Sequence, residues 1–175
     1  MHPFPELIDH CAAFTLKALD EAQAKTLEAL QASGATSLVK TLQMVQLQKV
    51  VSAVGMFSIF DAMLQDRLDC ADGFKGADAI LDSEGATSLK DHFVTLRLAI
   101  NVLKHGEGRS YKELLAKPKL PFKMKTPEED FFNEGDVSEV QTLIEVNDTF
   151  VIDCARTIRA VTEVIQRAQP PGFIA

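Results

Sequence analysis

The stretch Arg97-Leu98-Ala99-Ile100-Asn101-Val102-Leu103-Lys104-His105-Gly106 decides how this chain is read. Arg97, Asn101 and His105 recur at every fourth position. On an α-helix that spacing puts three polar groups in one row along one face. Leu98, Ile100, Val102 and Leu103 take the other sides, and Gly106 stands where a helix stops. The segment reads as an amphipathic helix.

The neighbouring sequence reads the same way. Glu6 to about Ser33 is rich in Ala, Leu, Lys, Glu and Gln, all good helix formers. Ile8, Ala12, Leu16, Leu19, Leu27 and Leu30 recur in it at helical spacing. Ser33-Gly34 is a stop, and Thr36 or Ser37 is expected to cap a second helix running to about Asp69. From Val50 to Met63 that helix is apolar nearly all round, as in the most buried helix of a bundle. Cys70 to Gly85 contains Gly73 and Gly76 and reads as a loop, with room for one helical turn at Ala77 to Leu81. Thr87 is the expected cap of the third helix, which carries the polar row.

Gly108 to Gly135, with Pro118, Pro121 and Pro127, reads as an irregular connection with room for a short helix at Ser110 to Ala116. The last helix is expected from Asp136-Val137-Ser138-Glu139 to about Ala168, ended by Pro170-Pro171-Gly172. Its stripe is Val140, Leu143, Asn147, Phe150, Cys154, Ile158, Val161 and Ile165, with Asn147 as a register-setting polar residue. No strand, repeat or linker stands out. The expected architecture is all-α: one domain over residues 1–175, a four-helix up-down bundle with a long irregular connection before the last helix.

Bulk composition narrows the function classes. The chain has 175 residues, 46% hydrophobic and 25% charged, with a net charge of -7. That is a globular profile with enough length for a real core. The acidic balance argues against non-specific coating of nucleic acid, and no DNA partner is expected. No apolar run approaches the roughly 20 residues needed to span a bilayer, so no membrane association is expected. The N-terminus lacks the pattern of a signal peptide. Cys11, Cys70 and Cys154 form no paired motif and read as reduced, mostly buried thiols of a cytoplasmic protein. No metal cluster or cofactor motif is evident. Lys104, His105, Arg109, Lys112, Lys117, Lys119, Lys123 and Lys125 crowd together just past the polar row. Glu128, Glu129, Asp130, Glu134 and Asp136 follow at once. The basic segment reads either as a mixed-charge solvated loop or as a local positive surface.

The row has a chemistry of its own. His exchanges a proton at neutral pH, Arg offers a donor fork suited to phosphate, and Asn holds a hydroxyl or phosphate oxygen. Together they suit metal-free RNA cleavage by the 2′-hydroxyl. His105 would be general base or acid, Asn101 the orienting residue and Arg97 the phosphate contact, with Lys104 and Arg109 supporting substrate binding. A polar row of this kind also occurs on ordinary surface helices. His2, His10 and His92 have no such company and read as structural or solvent-facing.

Two stretches resemble the HEPN superfamily of all-helical domains. Met56-Phe57-Ser58-Ile59-Phe60-Asp61-Ala62-Met63-Leu64-Gln65-Asp66-Arg67-Leu68 is similar to that family's aromatic-rich second helix, with an acidic residue before a Leu. Arg97 to Gly106 is similar to its active motif, an Arg followed after a short gap by a His. The likeness spans roughly Val50 to Arg109. Asn101 and His105 match the polar residue after the motif's Arg and the His. Ile100 stands where that Arg would be, and Arg97 lies one turn earlier. The resemblance implies a homodimer with its polar rows facing each other across the interface. It also implies either metal-independent RNA cleavage, with an antitoxin or nucleotidyltransferase partner, or a catalytically silent protein- or nucleotide-binding module.

Overall fold

A computed structural model describes residues 4–130 and 139–168. They form an all-α bundle of six helices: α1 (Phe4–Ala32), α2 (Thr36–Leu68), α3 (Gly73–Ser83), α4 (Thr87–His105), α5 (Arg109–Leu115) and α6 (Asp148–Ala168). α2 is the hub and packs against α1, α3, α4 and α6. It turns Phe57 and Phe60 inward onto Phe93 of α4, with ring centroids 6.0 and 6.1 Å apart. Phe74 of α3 meets Phe93 edge-on at 5.5 Å. Such pairs add about 0.5–1.5 kcal/mol each beyond the area they bury.

The bundle has two more helices than expected. α3 is a full helix where the glycines suggested a loop. Asp72 caps it, its Oδ1 accepting from the Lys75 N–H at 3.0 Å. That bond and the Lys75 ammonium hold the Asp72 carboxyl below its ordinary range. The glycines serve packing here. A Cβ on Gly73 would lie 2.5 Å from the Asp61 carbonyl oxygen and 2.6 Å from Leu64 Cβ. One on Gly76 would lie 2.8 Å from Leu68 Cδ1. The absent side chains let α3 lie directly on the end of α2. α5 falls on the segment with room for a short helix.

The last helix starts at Asp148, twelve residues later than expected. The expected start at Asp136 and the stop at Pro170 lie outside the described residues. Asn147 is the cap rather than a member of the stripe: the Phe150 N–H donates to its Oδ1 at 3.0 Å. Upstream the chain is extended. Lys125 N–H donates to the Leu143 carbonyl at 2.9 Å, and Glu145 N–H to the Lys123 carbonyl at 3.0 Å. These bonds flank an antiparallel bridge between Met124 and Ile144. The extended segment buries Ile144 and Val146 by alternation, in place of the helical stripe expected through Val140, Leu143 and Asn147. The expected caps also moved. Ala35 and Ala86 hold the cap positions of α2 and α4, neither with a side-chain hydrogen bond. Gly106 ends α4 as expected, at φ 72° with its N–H on the Val102 carbonyl.

One further expectation changes. Cys11 is exposed on α1, Cys70 is half-buried and Cys154 is buried, so one of the three thiols rather than most of them is in the core. Burial pushes the Cys154 thiol well above its ordinary value. By length and composition alone α2 is long and apolar enough to cross a membrane, a test that the core helix of a bundle also passes.

Two predictions follow from this packing. Gly73→Ala should destabilise the fold by about 2 kcal/mol or more, because backbone as well as side chain must give way. A thermal melt checks this. The second concerns His92 of α4, whose Nε2 lies 3.0 Å from Asp153 Oδ1 of α6. That bond raises its pKa above the ordinary 6.5. A raised folded-state value stabilises fully below the unfolded value and less as pH climbs through the folded one. The stability difference between wild type and His92→Gln should therefore be largest at about pH 5–6 and shrink toward pH 9.

Candidate functional site

Helical spacing does put Arg97, Asn101 and His105 in one row on α4, but their surroundings differ. Arg97 Nη2 is 2.9 Å from Asp78 Oδ2 of α3, with the two side chains 17% and 20% exposed. Its guanidinium carbon lies 4.9 Å from the Phe93 centroid and 5.2 Å from that of Phe74. The group is held by a counter-charge and two ring faces, which favours it in a partly dry setting. Arg97 fastens α3 to α4. Taking a phosphate would mean giving up Asp78.

Asn101 and His105 are exposed farther along the helix, and neither has a hydrogen bond or ion pair among the described residues. Lys104 is exposed between them. Arg109, beyond the Gly106 turn, lies 2.6 Å from Glu113 on its own helix. Two more cations of the basic segment are answered locally: Lys125 pairs with Asp130, and Lys123 lies 3.7 Å from Glu145. Glu134 and Asp136 lie outside the described residues. The positive field of the segment is thus partly cancelled. Among the described residues no cluster of His, Cys, Asp and Glu is arranged to hold a metal.

A second feature was missed by the sequence reading. A groove of about 850 Å³ runs between α1 and α6, away from the polar row. Its floor is apolar, with Ala12, Leu16, Ile152 and Ala155. Its rim carries both signs of charge. Arg159 bridges part of it, with Nη1 3.0 Å from Asp9 Oδ2 and Nε 3.0 Å from Glu163 Oε1. At one end the groove adjoins a recess of about 520 Å³ that shares Asp20 and Asp148 with it and reaches Lys49. Lys49 Nζ lies 2.6 Å from Asp148 Oδ1, with the Lys49 side chain 7% exposed. Burying an ammonium is costly unless it is paired, so Asp148 at the start of α6 is fixed against α2. The signal was present in the sequence. Lys49 is the lone charge between Thr41 and Phe60, and it falls in register with the inward-facing Leu42, Val45, Ala53 and Met56.

The asymmetry of that pair gives a prediction. Asp148→Ala strands a buried ammonium and should cost about 2–4 kcal/mol. Lys49→Met removes the charge but keeps the bulk, and should change stability by about 1 kcal/mol or less, or raise it. Chemical denaturation of both variants checks the ordering. Comparison of the chain with protein-family models, with curated proteins and with solved structures finds no match.

Proposed function

We infer that this chain is a HEPN-like helical bundle that works as a non-catalytic binding module. The observation that carries the reading is the commitment of Arg97. The one guanidinium of the row is paired with Asp78 and seated against Phe74 and Phe93. Asn101 and His105 are left without a cationic fork to stabilise a phosphorane. The α1–α6 groove supplies a binding surface instead. An apolar floor with a rim of both charges suits a helix of a partner protein, whose apolar stripe would lie on Ala13, Ile152 and Ala160, the apolar lining residues that retain exposed surface. A partner of the antitoxin or nucleotidyltransferase kind, which the resemblance implies, would dock there.

Metal-independent RNA cleavage is the second reading. The exposure of Asn101 and His105, unpartnered and one turn apart, favours it, because both are free to meet a substrate. Incubation of the full chain with single-stranded RNA in chelator separates the two. The binding-module reading expects intact RNA, and the same result for His105→Ala. Metal-free cleavage that falls roughly 100-fold or more in His105→Ala would overturn it and establish the nuclease.

A further inference from the structure

The outward face of α2 is left uncovered by the described residues and carries no charge along most of its length. Met44 is 57% exposed, Leu47 49%, Val51 52% and Ile59 54%. Met44, Val51, Gly55 and Ala62 form a central row by helical spacing, and Leu47 and Ile59 flank it on opposite edges. The row covers about 27 Å of helix at 1.5 Å per residue. Charges return only at its two ends, with Lys40 before it and Asp66 after it. Both are exposed, and neither has an ion-pair partner among the described residues.

Gly55 is the informative residue. A glycine inside a helix costs about 1 kcal/mol relative to alanine. Gly73 and Gly76 have a packing reason for that cost. Gly55 has none among the described residues, since a Cβ built there meets nothing within 4 Å. A bare backbone on an exposed apolar helix face admits another helix at close range.

We propose that this face is the interface between two copies of the chain, with α2 pairing antiparallel to α2 of the second copy. A two-fold axis opposite position 53 sets large against small residues along the central row: Met44 faces the second copy's Ala62, and Val51 faces its Gly55. The same register brings Lys40 of each copy to Asp66 of the other, two ion pairs that close the ends. An isologous interface requires this self-complementarity in both size and charge. A parallel pairing would oppose Lys40 to Lys40 and Asp66 to Asp66. The surface differs from the one that the HEPN resemblance implies, because α2 meets α4 through Phe57 and Phe60 on its opposite side. A lipid bilayer is a poorer occupant. Insertion of α2 would strip it from four helices and carry Lys49 into hydrocarbon away from Asp148.

Sedimentation of the full chain at micromolar concentrations tests the pairing, with far-ultraviolet circular dichroism as the folding control. Wild type should be dimeric. Gly55→Leu, which has room in the single chain, and Val51→Glu should keep their helical signal and weaken dimerisation roughly 100-fold or more. Lys40→Asp and Asp66→Lys should each weaken it, and the double variant should restore it. Three outcomes would overturn the proposal: a wild-type monomer, a dimer indifferent to Gly55→Leu and Val51→Glu, or charge reversals without mutual rescue. A monomer that floats with phosphatidylcholine–phosphatidylglycerol vesicles, and ceases to in Val51→Glu, would assign the face to a membrane surface instead.

Discussion

A guanidinium held half out of water must have a counter-charge, and in this bundle Arg97 finds it on a different helix. Asp78 answers it from α3, and the faces of Phe74 and Phe93 cover what the carboxylate does not. The arrangement fixes where α3 sits, since Asp78 and Phe74 lie one turn apart on the helix that Gly73 and Gly76 press onto α2. It orients Phe93, around which Phe57, Phe60 and Phe74 gather. It also splits the polar row of α4 in two. Arg97 belongs to the interior, while Asn101 and His105 belong to the surface. A row that is uniform by spacing is thereby divided by depth.

The helices whose identity rests on apolar periodicity were legible in the sequence. α1, α2 and α4 follow the pattern of their Leu, Val and Phe residues, and Gly106 ends α4 at a positive φ that suits glycine. The failures share a cause: local signals whose meaning depends on tertiary neighbours. Gly73 and Gly76 look like loop residues until α2 is seen pressed against them. Val140, Leu143 and Asn147 continue a helical stripe on paper, but Lys123 and Lys125 offer backbone partners that draw the segment into an extended pairing. Ala35 and Ala86 cap nothing with their side chains, so the cap preferences of Thr36 and Thr87 misplaced those starts only slightly.

The candidate site was legible in position and illegible in state. Sequence spacing located Arg97, Asn101 and His105 on one helix, but no spacing rule could supply Asp78, which lies nineteen residues upstream in a segment whose glycines signal a loop with room for one helical turn. The α1–α6 groove was out of reach for another reason. It is built by the two helices farthest apart in the chain, and depends on Lys49 meeting Asp148 across almost a hundred residues. Chemical patterning within a helix reports which face is buried, and is silent about which partner buries it.

The Arg159 bridge to Asp9 makes the groove a seam between the first and last described helices. α2 to α5 are joined to one another by short connections, and α2, α3 and α4 also rest on α6. The α1–α6 contact instead closes a loop that contains nearly the whole chain, and it carries the entropy of that closure. Local opening of a fold tends to follow such boundaries. Anything that bridges both walls recognises only the closed seam, so its affinity and the closing equilibrium are thermodynamically linked. Occupancy of the groove would then be felt as slower amide hydrogen exchange along the whole of α1 and α6, including the turns that lie beyond the groove's lining.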